Sequence, residues 1–311
     1  MQLVYSTPNR SFTLDIRGKF NVIVGKSGTG KSVLADFAEM IRNNPFSRKE
    51  YPREITGNPV LLQDWMVTHP GSIIVIDEGI FDVRQWRKLI PEMERSENYF
   101  VICTREGDPS LPYGINTTFE IEGTYRNLRM VPKYRENPLS RNTHDCCGVI
   151  TEDAKVGYWV LQHIARHSLT LKSAGGKDEI CSLLKALPQR QTVVFDSCGI
   201  GSTLSKLLVA AKEERSVLFD SASFEWEVLQ SFFKKDFIAY TEENCTAFAS
   251  EEQYYTQQLN TLLFAYCGIN YSKNSEELAS LFSVGCGMVQ GNFCNMLDTG
   301  VVGEPLYEEF R

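Results

Sequence analysis

The chain has 311 residues, of which 42% are hydrophobic and 23% are charged, and its formal net charge is −7. This composition is typical of a globular protein, and the length favours about two domains. The acidic balance argues against general attraction to nucleic acid, so a nucleic-acid partner would need a local basic patch. The sequence contains neither a signal-peptide pattern nor an apolar run long enough to span a membrane. We therefore expect a cytoplasmic protein without a membrane partner.

A phosphate-binding loop is the first element that the sequence predicts with a specific chemistry. A β-rich run at 20–24 leads into a match to G-x-x-x-x-G-K-[ST] at every fixed position. The residues of this match are Gly25, Lys26, Ser27, Gly28, Thr29, Gly30, Lys31 and Ser32. A helix is predicted next, because apolar residues recur at helical spacing from Leu34 to Ile41. Glycines allow backbone N–H groups to face phosphate oxygens, and the helix N-terminus adds positive potential.

This order of strand, loop and helix predicts binding of a nucleoside triphosphate, with ATP and Mg²⁺ as the favoured ligands. Lys31 is expected to neutralise the β- and γ-phosphates, and the Ser32 hydroxyl is expected to bind the magnesium ion. No guanine-reading N/T-K-x-D element is present, so the choice between ATP and GTP stays open.

Two further strands are predicted to end in polar residues that could complete this site. The apolar run at 72–76 is typical of a strand buried on both faces, and it is followed by Asp77 and Glu78. We expect Asp77 to hold magnesium and Glu78 to orient or deprotonate the attacking water. The run at 99–103 ends in Thr104, which could reach the γ-phosphate. The candidate catalytic residues are therefore Lys31, Glu78 and Thr104.

The N-terminal half resembles a small ABC-type ATPase core, of the broad group that includes DNA-repair and overcoming-lysogenisation-defect (OLD) ATPases. In that group a β region similar to 12–16 precedes the Walker A loop, the Walker B strand ends in Asp-Glu, and the next strand ends in a switch residue. This sequence departs from the group because nothing between Lys31 and Asp77 reads as L-S-G-G-Q, and because Arg105 follows Thr104 where the group has histidine. The departures imply slow hydrolysis or a requirement for a partner.

A polar segment with two prolines at 132–142 predicts a boundary between two domains. We place a P-loop ATPase domain at 1–135, a linker at 136–145, and a second domain at 146–311. In the second domain, predicted strands at 148–151, 169–172, 192–195 and 216–219 alternate with predicted helices, which indicates another parallel sheet. A further helix at 251–266 is predicted to bury one face, which carries Tyr255, Leu259, Leu262, Leu263 and Tyr266.

The strand-end residues of this half resemble a Toprim domain, the metal-binding module of topoisomerases, primases and OLD-type nucleases. The resemblance implies a second metal site at Glu152 and Asp196, with Gly175 and Gly176 after the second strand. The second aspartate of the Toprim D-x-D motif is replaced by Cys198, and a thiol is a poor magnesium ligand. Three carboxylates are candidates to replace it: Asp153, Asp220 and Glu225.

The fold class predicted from these features is α/β, with a P-loop NTPase parallel sheet followed by a Toprim-like, Rossmann-like α/β domain. The leading functional hypothesis is an ATPase whose nucleotide state controls the Toprim-like domain, with DNA processing or a defence nuclease as the setting that the resemblance implies. One alternative is a nucleotide-gated module that binds a protein partner and cuts no nucleic acid. Another is a P-loop small-molecule kinase that uses Arg84, Arg87 and Arg95. The sequence does not distinguish a monomer from an oligomer.

Cysteine usage gives no strong metal motif. The nine cysteines form no C-x-x-C pair, which favours reduced thiols in a core. A zinc site is a weaker alternative that would draw on His144, Cys146, Cys147, His163 and His167.

Overall fold

The computed structural model describes most of the chain, in ranges separated by gaps. These ranges are 1–43, 53–105, 111–137, 141–142, 148–155, 157–159, 170–233, 235–241, 244, 247–274, 278, 301–302 and 306–309. The chain divides into an N-terminal unit (Met1–Tyr134 with Tyr240–Glu251) and a C-terminal unit (Arg135–Ala239 with Glu252–Arg311). Among the described residues, no helix combines the length and apolar character that crossing a bilayer requires.

The N-terminal unit is built on an eight-stranded sheet with the order β1-β2-β8-β7-β3-β6-β5-β4. Its strands are β1 (Gln2–Thr7), β2 (Arg10–Asp15), β3 (Phe20–Val24), β4 (Ile55–Gly57), β5 (Ile73–Ile76), β6 (Tyr99–Thr104), β7 (Thr118–Thr124) and β8 (Asn127–Pro132). Its helices are α1 (Lys31–Asn43), α2 (Leu62–Thr68) and α3 (Val83–Arg95), with a 3₁₀ turn at Ile115–Thr117.

This sheet is mixed, and its central strands form the parallel part that the sequence predicted. Strands β3 to β6 pair in parallel, whereas β1 with β2 and β7 with β8 form antiparallel hairpins. Hairpins need only a short turn, and both of these have one, so the chain adds strands without a crossover helix. The sheet curls, and the Tyr5 hydroxyl of β1 donates to the Arg53 carbonyl beside β4 at 3.3 Å. The prediction of an α/β fold is confirmed.

Helices cover both faces of the central strands, and β5 shows why its sequence is continuously apolar. Ile73 and Val75 pack into the core that holds α1, while Ile74 and Ile76 pack into the core that holds α2 and α3. All four side chains are fully buried. Side chains alternate between the faces of a strand, so a strand covered on both sides has no polar position. The polar residues therefore begin only where β5 ends.

The C-terminal unit contains a four-stranded parallel sheet with the order β12-β11-β13-β14. Its strands are β11 (Gly148–Thr151), β12 (Thr170–Ser173), β13 (Gln191–Asp196) and β14 (Val217–Ser221). Its helices are α4 (Lys177–Ala186), α5 (Thr203–Glu213), α6 (Phe224–Phe232) and, beginning at the unit boundary, α7 (Glu251–Cys267). The predicted parallel arrangement of this second sheet is confirmed.

Three features of the chain were not anticipated from the sequence. Strand β9 (Tyr134–Asn137) overlaps the start of the predicted linker, and β10 (Arg141–Asn142) lies within it; they pair with β16 (Leu306–Glu309) and β15 (Val301–Val302) respectively. Tyr240–Glu251 belongs to the N-terminal unit, where Tyr240 packs against the α1 core and Ala249 is buried in the other core. Tyr266 of α7 is 64% exposed, although the sequence predicted a core position.

Part of the predicted features falls in the gaps. The first of the helices predicted between the strands of the second domain spans 156–167, and most of it lies outside the described residues, as do all five zinc-ligand candidates named above.

Candidate functional site

The glycine loop, defined as Gly25–Ser32, connects β3 to the start of α1. Gly28 and Gly30 have φ angles of +87° and +96°, a backbone region that L side chains rarely adopt. A Cβ added at Gly28 would meet no atom within 4 Å, so the backbone and not a lack of space requires glycine there. The Gly25 N–H donates to the Thr104 carbonyl at 3.1 Å, which fixes the loop against the end of β6.

Lys31 points its ammonium group back into the glycine loop. Nζ donates to the carbonyl of Gly25 and, at 2.9 Å, to the carbonyl of Lys26. The side chain is only 6% exposed, so its charge is enclosed by backbone. Ser32, the next residue, is exposed in the first turn of α1. The loop therefore places a cation, a hydroxyl and the positive end of a 13-residue helix at one point.

The predicted acidic residues lie at the same edge of the sheet, two strands away from the loop. Strand β6 lies between β3 and β5, so about 10 Å separates the strand that leads into the loop from the strand that ends at Asp77. The Asp77 N–H donates to Oδ1 of Asn58 at 2.8 Å, and Oδ1 of Asp77 accepts from the Glu78 N–H at 2.8 Å. Asn58, which the sequence analysis did not single out, has a positive φ of 46° after β4.

Cys103 is buried in β6, between the strands that lead to the glycine loop and to Asp77, and its Sγ lies 4.0 Å from the Lys31 carbonyl. Burial and, after it, the negative charge of Asp77 raise the pKa of this thiol to about 12. Glu78 adds to the rise, whereas Lys31 opposes it.

Glu78 is paired with Arg105 at the end of β6. Nε of Arg105 lies 3.1 Å from Oε2 of Glu78, and the two side chains are 63% and 37% exposed. Thr104, half-buried, precedes Arg105 and accepts the Gly25 N–H through its backbone. The structure thus brings Lys31 and Thr104 to the edge that carries Asp77 and Glu78. The sequence points to this ion pair in one way only, which is that each of the two residues follows the end of a predicted strand.

A second group of charged residues, the acidic cluster, lies at the strand ends of the C-terminal unit. Its members are Glu152, Asp153, Asp196, Glu225 and Glu252. The Asp196 N–H donates to Oε2 of Glu152 at 3.1 Å. Burial and the neighbouring Asp153 raise the pKa of Glu152 to about 7, and burial raises the pKa of Asp153 to about 6. The pKa of Asp196 rises well above its usual range because of burial and the charges of Asp153 and Glu152.

Lys273 provides a positive charge to this acidic cluster. Its Nζ lies 3.3 Å from Oε1 of Glu225 and 3.2 Å from Oε1 of Glu252. The Tyr271 hydroxyl also donates to Oε1 of Glu225, at 2.8 Å, whereas the buried Oε2 has no hydrogen-bond partner among the residues that the structure describes. Burial lowers the pKa of Lys273, but the charges of Glu225 and Glu252 raise it, and the net shift is upward. Neither Tyr271 nor Lys273 carries a sequence motif, so sequence reasoning missed both.

The other residues of the predicted second metal site have no acidic side chain to offer. Cys198 is buried after β13, and its N–H donates to the Ala222 carbonyl at 3.2 Å. Gly175 and Gly176 precede α4 with φ angles of +81° and +147°. Over the described ranges, no three or more His, Cys, Asp or Glu side chains are grouped so that they could hold a metal ion. The second metal site that the resemblance implies at Glu152 and Asp196 therefore stays a prediction.

The two strand-end sites differ in charge. The glycine loop combines a buried cation with acids two strands away, whereas the acidic cluster has five carboxylates beside one lysine.

Comparisons of the chain with protein-family models, curated proteins and solved structures gave no match.

Proposed function

We propose that this protein binds ATP with Mg²⁺ at the glycine loop and hydrolyses it. The observation that carries the proposal is the Lys31 ammonium enclosed by a loop with two left-handed glycines, at the sheet edge that also carries Asp77 and Glu78. Triphosphates need clustered positive charge and backbone donors, and their cation needs hydroxyl and carboxylate oxygens. This edge supplies each of these groups.

Each residue has a separate part in the proposal. Lys31 exchanges its bonds to the Gly25 and Lys26 carbonyls for bonds to phosphate oxygens. Ser32 and Asp77 would hold the magnesium ion, which neutralises phosphate charge when bound. The side chain of Asn58 accepts the backbone N–H of Asp77, and this hydrogen bond restrains the residue that carries the carboxylate.

Glu78 is the proposed general base, and Arg105 controls it. A carboxylate that accepts a proton from water must be within hydrogen-bond reach of that water. The 3.1 Å contact with Arg105 orients Oε2 of Glu78 but also competes for its lone pairs. This competition is expected to slow hydrolysis modestly, in the direction that the departure at Arg105 implies.

The test is a comparison of two lysine variants in the full-length chain. Lys31→Ala removes the enclosed charge, and we expect ATP affinity to fall by at least roughly 100-fold, since a desolvated charged contact to a phosphate contributes about 3 kcal/mol. Lys88→Ala removes an exposed lysine from α3 and should leave affinity unchanged. Binding is measured by titration calorimetry with Mg²⁺ and a non-hydrolysable ATP analogue. Equal affinities for wild type and Lys31→Ala would overturn the proposal.

We further propose that the nucleotide state controls the C-terminal unit, as the resemblance to OLD-type proteins implies. Two forms of this control differ in their chemistry. In the first, the C-terminal unit is a Toprim-like nuclease that cuts DNA with a metal held by Glu152 and Asp196. In the second, it is a binding module for a protein partner and cuts nothing.

The position of Lys273 favours the binding module. Its ammonium contacts two carboxylates of the acidic cluster, and Cys198 occupies the position where the Toprim motif has aspartate. Lys273 supplies part of the positive charge that a metal would otherwise supply, so the acids depend less on a divalent ion. Incubation of plasmid DNA with Mn²⁺ and ATP distinguishes the two forms. Cleavage that Glu152→Ala and Asp196→Ala abolish would favour the nuclease, and intact DNA would favour the binding module.

A further inference from the structure

A cleft in the N-terminal unit, at the far end of α1 from the glycine loop, carries chemistry that ATP hydrolysis does not use. We call it the Arg10–Arg126 cleft. It has a volume of about 600 Å³ and is lined by Thr7, Pro8, Asn9, Arg10, Met40, Ile41, Tyr125 and Arg126. These residues come from the turn between β1 and β2, the last turns of α1, and the turn between β7 and β8. The volume is that of a cleft for a small organic ligand.

The charge of the cleft is opposite to that of the whole chain. The lining contains two arginines and no acidic residue, although the chain has a net charge of −7. The Arg126 guanidinium forms no hydrogen bond or ion pair with any residue that the structure describes. A guanidinium has five N–H donors in a planar fork that matches phosphate oxygens. The cleft therefore favours an anionic ligand.

The aromatic part of the cleft adds a second requirement. The Arg10 guanidinium lies over the Tyr125 ring, with Cζ 3.7 Å from the ring centroid. Tyr125 is nevertheless 60% exposed, and Met40 beside it is 44% exposed. Because the Tyr125 ring is held in place by the guanidinium and is exposed to solvent, it can stack with another planar group. The thioether of Met40 adapts to different shapes.

We infer that the Arg10–Arg126 cleft binds a nucleotide, with its base stacked on Tyr125 and its phosphate bound by Arg126. A nucleotide is the ligand class that joins a flat base to a phosphate, and each has its counterpart here. The Met40 side of the cleft lies away from the glycine loop, because Met40 follows Lys31 by nine residues of α1, which corresponds to roughly 14 Å along the helix. The Arg126 side is nearer to the loop, since Leu128, two residues further along β8, lies against Gly30. The nucleotide could be free or part of a single strand of DNA.

Fluorescence anisotropy with a labelled oligothymidylate of about 12 nucleotides tests this inference, since stacking sites on such strands cover roughly 4–16 nucleotides. The full-length chain is used with Lys31→Ala in the background, so that binding at the glycine loop does not contribute. Unlabelled thymidine monophosphate is the competitor for the free-nucleotide arm. Displacement by the monophosphate at concentrations comparable to the oligonucleotide indicates a free nucleotide, and displacement only by oligonucleotide indicates single-stranded DNA.

Substitutions of the cleft residues test whether the measured binding takes place in the cleft. Tyr125→Ala should weaken binding by roughly 5- to 150-fold, the range for loss of one stacked base, whereas Tyr125→Phe should retain it. Arg126→Gln should weaken binding and reduce the slope of log affinity against log salt by about 0.7. Tyr266→Ala and Arg215→Gln, which remove a 64% exposed tyrosine and an exposed arginine elsewhere, should change nothing. Absence of binding to both probes, or binding that Tyr125→Ala and Arg126→Gln leave unchanged, would overturn the inference.

Discussion

The glycine loop and the acidic cluster both lie where parallel strands end, yet they treat charge in opposite ways. In the N-terminal unit, the Lys31 ammonium donates to neutral oxygens of its own loop, and Glu78 is paired with Arg105. In the C-terminal unit, carboxylates lie close enough together to raise each other's pKa, and Lys273 contacts two of them. The first site has positive charge to offer a ligand, whereas the second has an excess of carboxylates whose negative charge Lys273 offsets only in part.

The difference shows that the position of a site in a fold does not determine its chemistry. Both sheets direct polar residues to one edge because their strands are buried elsewhere. What the edge can bind depends on whether the local charge is compensated by groups of the same chain. The four predictions below test this contrast, from the largest expected effect to the smallest.

Substitution of the proposed base should have the largest effect. Glu78→Gln removes the proton acceptor but keeps the size of the side chain, so ATP turnover should fall by roughly 10²- to 10⁴-fold while ATP affinity stays within a few fold. Phosphate release measured under saturating ATP tests this, with Glu97→Gln, another exposed glutamate, as the control. Turnover equal to that of wild type would remove Glu78 from the proposed chemistry.

Removal of Lys273 should leave the negative charge of the acidic cluster less compensated. Lys273→Met keeps the length of the side chain but leaves the buried Glu225 without its cation, and we expect a loss of roughly 2 kcal/mol in the free energy of unfolding. This value lies between those of exposed and buried pairs because Lys273 is 57% exposed.

Adding Mn²⁺ provides a second test of the role of Lys273. If Lys273 stands in place of a metal, millimolar Mn²⁺ should restore part of the lost stability in Lys273→Met and have little effect on wild type. Thermal unfolding with and without Mn²⁺ provides the measurement, and Lys185→Met on α4 is the control. Equal stabilisation of wild type and variant by Mn²⁺ would contradict the role given to Lys273.

The acidic cluster should make the C-terminal unit less stable as pH rises. The pKa of Glu152 is raised from 4.5 to about 7 in the folded chain, and that of Asp153 from 3.8 to about 6. A raised folded pKa means that the folded state holds its protons more tightly, so the stabilising contribution is complete below about pH 4 and is lost as pH rises through 6 and 7.

Unfolding curves at intervals between pH 5 and pH 8 measure this dependence. The melting temperature of wild type should fall on the order of 5 °C over this range. Glu152→Gln mimics the protonated acid and should flatten the dependence, whereas the exposed Glu179→Gln should not. A slope unchanged by Glu152→Gln would show that the pH effect arises elsewhere.

The contact between Arg105 and Glu78 should have the smallest effect. The pair is exposed, and exposed ion pairs contribute roughly 0.2–1 kcal/mol, so Arg105→Gln should change ATP turnover by less than about fivefold. An increase would indicate that Arg105 competes with water for Glu78, and a decrease that it positions Glu78. Steady-state kcat distinguishes the two, with the exposed Arg215→Gln as the control. A change beyond tenfold would show that Arg105 acts on the phosphates directly.

The amino-acid sequence by itself determined the α/β class and the elements that carry the candidate residues. Short-range patterns were sufficient, because apolar periodicity along 34–41 and the continuous apolar run at 72–76 depend on the faces that each element buries. The glycines of the loop were readable for the same reason, since Gly28 and Gly30 need a backbone conformation that is set locally.

Only the tertiary structure decided which distant residues meet. Pairing of β10 with β15 joins residues about 160 positions apart, so the segment at 141–142 looked like a linker in the sequence. Lys273 lies beside Glu225, and Tyr125 lies under Arg10, without any local pattern that predicts either contact. Periodicity records the burial of a residue but not the identity of its partner, because the partner is selected by the path of the whole chain.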